Sequence, residues 1–119
     1  MPKPKTATIY HNPKCSTSRQ VLEMIEAAGV KPEVIEYLKA GWTKPQLKAL
    51  FAAAGLAPRQ ALRTKAPEAE DLGLLDPKAS DAKILDAMIA HPVLVERPFV
   101  VSPKGAVLAR PKEKVREVL

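Results

Sequence analysis

The sequence contains a single cysteine, Cys15, among 119 residues. One thiol cannot close an internal disulfide, and Ser18 stands where a Cys-x-x-Cys pair would need its second sulfur. Only two histidines are present, His11 and His91, too far apart to complete a metal-ligand cluster of the usual spacing with that cysteine. Aromatic residues are equally scarce, with one Trp, two Tyr and two Phe, and no stretch interleaves them with basic residues as a base-stacking platform would. Nucleic acid is therefore not an expected partner. No apolar run reaches the roughly 18 residues of a membrane span. The opening Met1-Pro2-Lys3-Pro4-Lys5-Thr6 has no apolar core of a signal peptide. The expectation is a cytoplasmic protein with no membrane partner.

Acidic residues are also in deficit, thirteen against nineteen basic ones, for a net charge of +6. Such a balance either solubilises the surface or attracts an anionic partner, and charge alone does not choose between them. With 46% apolar and 27% charged residues, the composition is globular, and the length suits one domain with a true core. The expected organisation is a flexible basic tail over residues 1–6 followed by a single domain over 7–119.

Ala7 to Tyr10 is a β-prone run that stops at His11-Asn12-Pro13, a turn-forming sequence. Helix-capping residue types follow at Ser16, Thr17 and Ser18, and Val21, Leu22, Ile25 and Ala28 then recur at the spacing of one helical face before Gly29. Glu33 to Tyr37 reads as a second strand, which completes a right-handed parallel β-α-β unit. Beyond it, Thr43 caps a helix carrying Leu47, Leu50, Phe51 and Ala54 and ending at Gly55, and Pro58 opens a shorter segment. Residues 64–79 read as irregular, and Ser80 caps a further helix with Ile84, Leu85 and Met88 inward. These segments form a helical insertion at about 43–91. From Val93 the pattern returns to strand, with Pro98–Val101 and Ala106–Ala109 forming an antiparallel hairpin around Ser102-Pro103-Lys104-Gly105. A last helix opens at Pro111 with Val115 and Val118 inward. The fold class is α/β: a mixed sheet ordered β-α-β then β-β-α, with a helical insertion.

Cys15 thus falls at the end of a strand and the start of a helix. Unpaired backbone N–H groups and the positive end of the helix dipole favour a thiolate there, and the thiolate is the nucleophile. The same N–H groups, together with the hydroxyls of Ser16, Thr17 and Ser18 and the guanidinium of Arg19, would cradle an oxyanion. The alternative is an inert buried thiol, against which the polar neighbours on both sides argue. His11 is either a cation that stabilises the thiolate or a structural hydrogen-bond partner. Without a second cysteine, any adduct on Cys15 must be resolved by a thiol from another molecule, such as glutathione or a redox protein.

His11-Asn12-Pro13-Lys14-Cys15-Ser16-Thr17-Ser18-Arg19 resembles the active-site loop of the glutaredoxin-coupled arsenate reductases, a family with a thioredoxin-like fold. Ala61-Leu62-Arg63, the run from Leu85 to Val95, Glu96-Arg97-Pro98-Phe99-Val100-Val101 and Leu108-Ala109-Arg110-Pro111 are similar to further blocks of the family, in its order. The resemblance implies a cysteine, Cys15, that attacks arsenate, a loop histidine, His11, associated with thiolate activation, and three arginines, Arg63, Arg97 and Arg110, that bind the oxyanion. It also implies a cis peptide bond at Arg97-Pro98; Ser18, by its place in the loop, joins the three arginines as a candidate substrate-binding residue. Glutathione would be the co-substrate, glutaredoxin the protein partner, and no cofactor would be bound. Lys14 and Ser16 depart from the smaller residues familiar in the family, adding a charge and a hydroxyl. The same fold also resembles transcription regulators that bind RNA polymerase and non-catalytic relatives. Those regulators tend to carry the Cys-x-x-Cys switch that Ser18 excludes.

Overall fold

The computed structural model describes residues 4–119. Of the expected basic tail, residues 1–3 lie outside the described residues, while Thr6 already belongs to the first strand. The chain forms two compact units, one built from the segment up to Ala40 together with Arg97–Leu119, the other from Gly41–Glu96.

The first unit holds a four-stranded mixed sheet in the order β2-β1-β3-β4. Strand β1 (Thr6–Tyr10) runs parallel to β2 (Lys31–Ile35) and antiparallel to β3 (Phe99–Ser102), which pairs with β4 (Gly105–Leu108) through a tight turn at Pro103-Lys104. Helix α1 (Ser16–Ala27) is the crossover between the parallel strands. Ala7 and Ile9 alternate onto one face of β1 and meet Val21 and Ile25 of α1, Val100, and the inward Val115 and Val118 of a C-terminal 3-10 helix, Lys112–Val118. The spacing of three between those valines matches the turn of that helix. Full burial of each such aliphatic side chain contributes about 1.5–3 kcal/mol. The α1 backbone ends at Gly29, whose φ of 78° is a left-handed conformation that other residues adopt at a cost.

Strand β2 occupies 31–35, not the expected 33–37, and Tyr37 opens a short helix, α2 (Tyr37–Ala40). Pro32 lies inside β2, which is an edge strand with a single neighbour. Lys31 donates its N–H to the Lys5 carbonyl at 3.0 Å. The next residue, Pro32, is out of phase with these bonds and loses no ladder partner.

In the second unit, α3 (Lys44–Ala54) begins at the expected Thr43 through a reciprocal cap. Thr43 Oγ1 accepts the Gln46 N–H, and Gln46 Oε1 accepts that of Thr43, both at 3.3 Å. A 3-10 turn, Pro58–Ala61, follows. The stretch expected to be irregular contains a short helix, α4 (Pro67–Asp71), with Pro67 in its first turn and Ala69 fully buried. Proline at the first helical position opens a helix, because its missing N–H is not needed there. Helix α5 (Asp81–Ala90) starts where expected, the Ser80 hydroxyl accepting the Lys83 N–H at 3.1 Å. The strand expected from Val93 is instead a 3-10 turn, Pro92–Leu94, and only Val95 makes a bridge, to Leu62. Pro92 sets the helical φ of that turn and supplies no ladder donor.

Arg59 ties down the connection into α5. Its Nη2 donates to the carbonyls of Ala79 at 2.6 Å and Asp76 at 3.2 Å, and its Nη1 to that of Leu74 at 3.4 Å. Arg59→Met keeps the apolar stem but strands these carbonyls, and is expected to destabilise the protein by about 1–3 kcal/mol. Thermal unfolding of the variant against the wild type measures this, and an unchanged midpoint contradicts it.

Candidate active site

The loop from His11 to Cys15 is fixed at both ends by main-chain bonds. His11 N–H donates to the Ile35 carbonyl of β2 at 2.8 Å, and Cys15 N–H to the Asn12 carbonyl at 3.0 Å. Asn12 Oδ1 accepts the Lys14 N–H at 3.0 Å, a local turn that the Asn-Pro dipeptide favours. Cys15 then sits at the cap position of α1 in an extended conformation, φ −92° and ψ 121°. Its sulfur is thereby held beside the free N–H groups of the first helical turn.

The thiol is 9% exposed. Burial alone pushes its pKa up, but the backbone N–H of Ser18, the Arg97 guanidinium beside it and the charge of Arg110 together bring it below the ordinary thiol value. Arg110 Nη2 lies 3.7 Å from Cys15 Sγ, and Arg110 Nε donates to the Arg97 carbonyl at 2.6 Å, so that the second arginine is anchored on the backbone of the first. Arg97 itself is buried, and among the described residues its Nε and Nη1 find no hydrogen-bond acceptor. A buried guanidinium with two unmatched N–H-bearing atoms is costly in isolation. The planar fork of a guanidinium matches the oxygens of an anion in shape and charge. Both arginines precede cis prolines: Arg97-Pro98, as expected, and Arg110-Pro111, which was not.

Ser18 is fully buried. Its hydroxyl accepts the Asn12 N–H at 3.1 Å and lies 2.6 Å from His11 Nδ1. That commits the hydroxyl to the loop, where the sequence assigned it to the anion, and leaves the residue's backbone N–H to face the sulfur. Ser18→Ala strands a buried N–H and an imidazole nitrogen, and is expected to cost about 1–3 kcal/mol of stability. Because the Ser18 N–H remains, the pH midpoint of Cys15 alkylation should move far less than the unfolding free energy. A large midpoint shift at unchanged stability would assign the hydroxyl to the thiolate instead.

Burial lowers the His11 pKa, the Glu36 charge opposes this, and Arg19 adds to it, so the ring is biased toward the neutral form. As a neutral hydrogen-bond partner of Ser18 it organises the loop. The expected thiolate-stabilising cation is thus the less favoured form, and arginines supply the positive charge. Arg19, grouped in the sequence with the oxyanion donors, donates Nη1 to the Pro13 carbonyl at 2.8 Å and clamps the loop. Arg63 lies in the second unit, where Nη1 pairs with Glu96 Oε1 at 2.9 Å and the backbone N–H donates to the Leu94 carbonyl at 2.8 Å. Among the described residues no group of three or more potential metal ligands occurs.

A β-α-β unit followed by a β-hairpin, with a cysteine at the start of the first helix and two arginines beside its sulfur, defines a thioredoxin-like protein. The pattern of the ArsC family matches residues 10–118, and the chain belongs to that family. It is 60% identical over 111 residues to the arsenate reductase ArsI2 of Synechocystis sp., covering 93% of this chain and 79% of the relative. It is 46% identical over 112 residues to the arsenate reductase of Escherichia coli K12, covering 94% and 79%. Among solved structures, an arsenate reductase from Vibrio cholerae superimposes with a TM-score of 0.92 at 41% identity, covering 98% of this chain and all of that one. No described helix is long and apolar enough to cross a membrane.

Proposed function

We propose that this chain is an arsenate reductase that uses Cys15 as its nucleophile and external thiols as its reductant. The observation that carries the reading is the buried Arg97, with two guanidinium nitrogens lacking an acceptor among the described residues, next to a thiol held below its ordinary pKa. The Cys15 thiolate attacks arsenic, a sulfur–arsenic bond forms, one arsenic–oxygen bond breaks, and that oxygen leaves as water after taking up protons. Arg97, Arg110 and the N–H groups opening α1 hold the remaining oxygens, and Arg63 is assigned to the same anion through the family resemblance.

Glutathione then attacks the adduct as a thiolate. The two sulfurs supply the two electrons that take As(V) to As(III), so arsenite leaves and a Cys15–glutathione disulfide remains. Glutaredoxin reduces that disulfide and returns the thiolate. In this reading the chain supplies the nucleophile and the oxyanion donors, glutathione and glutaredoxin supply the electrons, and no step runs through a bound cofactor. The reaction belongs in a reducing compartment such as the cytoplasm.

Arsenite production followed with glutathione, glutathione reductase and NADPH, with and without glutaredoxin, tests the whole sequence. Turnover that requires glutaredoxin supports it. Turnover at the same rate without glutaredoxin removes that partner, and no arsenite under any thiol condition removes the activity.

A further inference from the structure

Beside the nucleophile loop lies a cleft of about 200 Å³, lined by His11, Asn12, Pro13 and Lys14 on one wall and by Glu36, Leu38 and Lys39 on the other. Its floor is apolar, with Leu38 44% exposed. Its charged groups are two lysines and one glutamate, Lys39 Nζ lying 3.6 Å from Glu36 Oε1 on an exposed surface. We propose that this cleft is the docking subsite for the reducing thiol, and that it takes glutathione through its two carboxylates and its ammonium.

The inference rests on the reading above and adds a place to it. At neutral pH glutathione carries two carboxylates and one ammonium, the mirror image of Lys14, Lys39 and Glu36. Lys14 is the residue next to Cys15, so its Cα lies about 3.8 Å along the chain from that of the nucleophile. An extended tripeptide spans roughly 10 Å, and its reactive thiol is on the central residue, between the two ends that the lysines would hold. Leu38 and Pro13 give the cysteinyl methylene an apolar surface to rest on. The Glu36–Lys39 pair is solvated and weak, so an incoming carboxylate and ammonium can exchange with it at little cost. Charge complementarity of this kind selects a zwitterionic peptide thiol over a small neutral one.

S-methylglutathione, which cannot react, is the probe for titration of isotope-labelled protein by NMR. Perturbation concentrated at the amides of residues 12, 14, 15 and 36–39, weakened about tenfold in Lys14→Glu/Lys39→Glu, is the expected result. In turnover the same variant should raise the KM for glutathione about tenfold, several times more than it raises the KM for arsenate, and respond little when 2-mercaptoethanol replaces glutathione. Shifts centred elsewhere, no shifts at those amides, or equal losses with both thiols overturn the subsite. Binding is read without arsenate. A wild type that binds S-methylglutathione in the cleft but makes no arsenite with any thiol therefore overturns the activity and leaves the subsite standing.

Discussion

Cys15→Ser abolishes arsenate-dependent NADPH oxidation in the assay coupled through glutathione, glutathione reductase and glutaredoxin. The expected fall is at least roughly 10³-fold, to the assay floor, because no other residue of the chain supplies the sulfur. Cys15 is the only cysteine in the sequence. A serine hydroxyl at the same cap position keeps the anion pocket but is not ionised near neutral pH, and it forms no disulfide with glutathione. The variant should therefore still bind an oxyanion, seen as protection against thermal unfolding by arsenate, while producing no arsenite and no glutathionylated protein. Binding without turnover separates the arginines' part from the sulfur's. Turnover retained in Cys15→Ser would show that arsenic meets the reducing thiol without a covalent enzyme adduct.

The part of this site written locally in the sequence was the part that could be read from it. The strand-turn-cysteine-helix order fixes where Cys15 sits, because each step follows from nearest-neighbour chemistry: β-prone residues, an Asn-Pro turn, then capping types and a helical apolar stripe. Arg97 and Arg110 carry no such local signature. Arg110 meets a sulfur 95 residues away, and only the resemblance of whole sequence blocks implied that it would. The same limit explains Arg59 and Arg19. Both donate to main-chain carbonyls, a partner every residue offers, so nothing in the residue types marks which ones they reach. Prolines misled in the opposite direction. Pro32 and Pro92 stand just before the expected strands and Pro67 falls in the stretch expected to be irregular, but an edge strand, a first helical turn and a 3-10 turn each accommodate proline without losing a needed N–H.

Ser18 shows how a correct position can carry a different use. Its residue type and its place in the loop suggest a hydroxyl for the anion, yet burial and the 2.6 Å contact with His11 Nδ1 turn the side chain inward. Capping-type residues at a helix start compete for several nearby N–H groups, and tertiary packing decides which one each satisfies. The thiolate is left to main-chain donors and to arginines from the far end of the sequence.

Arg97→Ala raises the Cys15 pKa and lowers arsenate turnover by about 100-fold or more, the effect of losing one preorganised oxyanion donor. Burial pushes the thiol up, and the net downward shift exists only because the Ser18 N–H and the two arginines outweigh it. Removing Arg97 leaves burial opposed by the helix N–H and Arg110 alone, so the midpoint of alkylation against pH moves toward higher pH. At neutral pH less thiolate is then present, and the arsenate oxygens lose a guanidinium that has two N–H-bearing atoms without other acceptors among the described residues. Stability follows the same sign. A thiol whose folded pKa is depressed contributes stability that is fully present above the unfolded pKa and is lost as pH falls through the folded one. The wild type should thus gain on Arg97→Ala as pH rises through the thiol range, and the difference should shrink on the acid side. Arg97→Lys restores a charge but not the planar fork, so it should recover part of the pKa shift while the KM for arsenate stays high. An alkylation midpoint unchanged in Arg97→Ala would remove Arg97 from the thiolate, and full recovery of arsenate KM by lysine would reduce its role to charge alone.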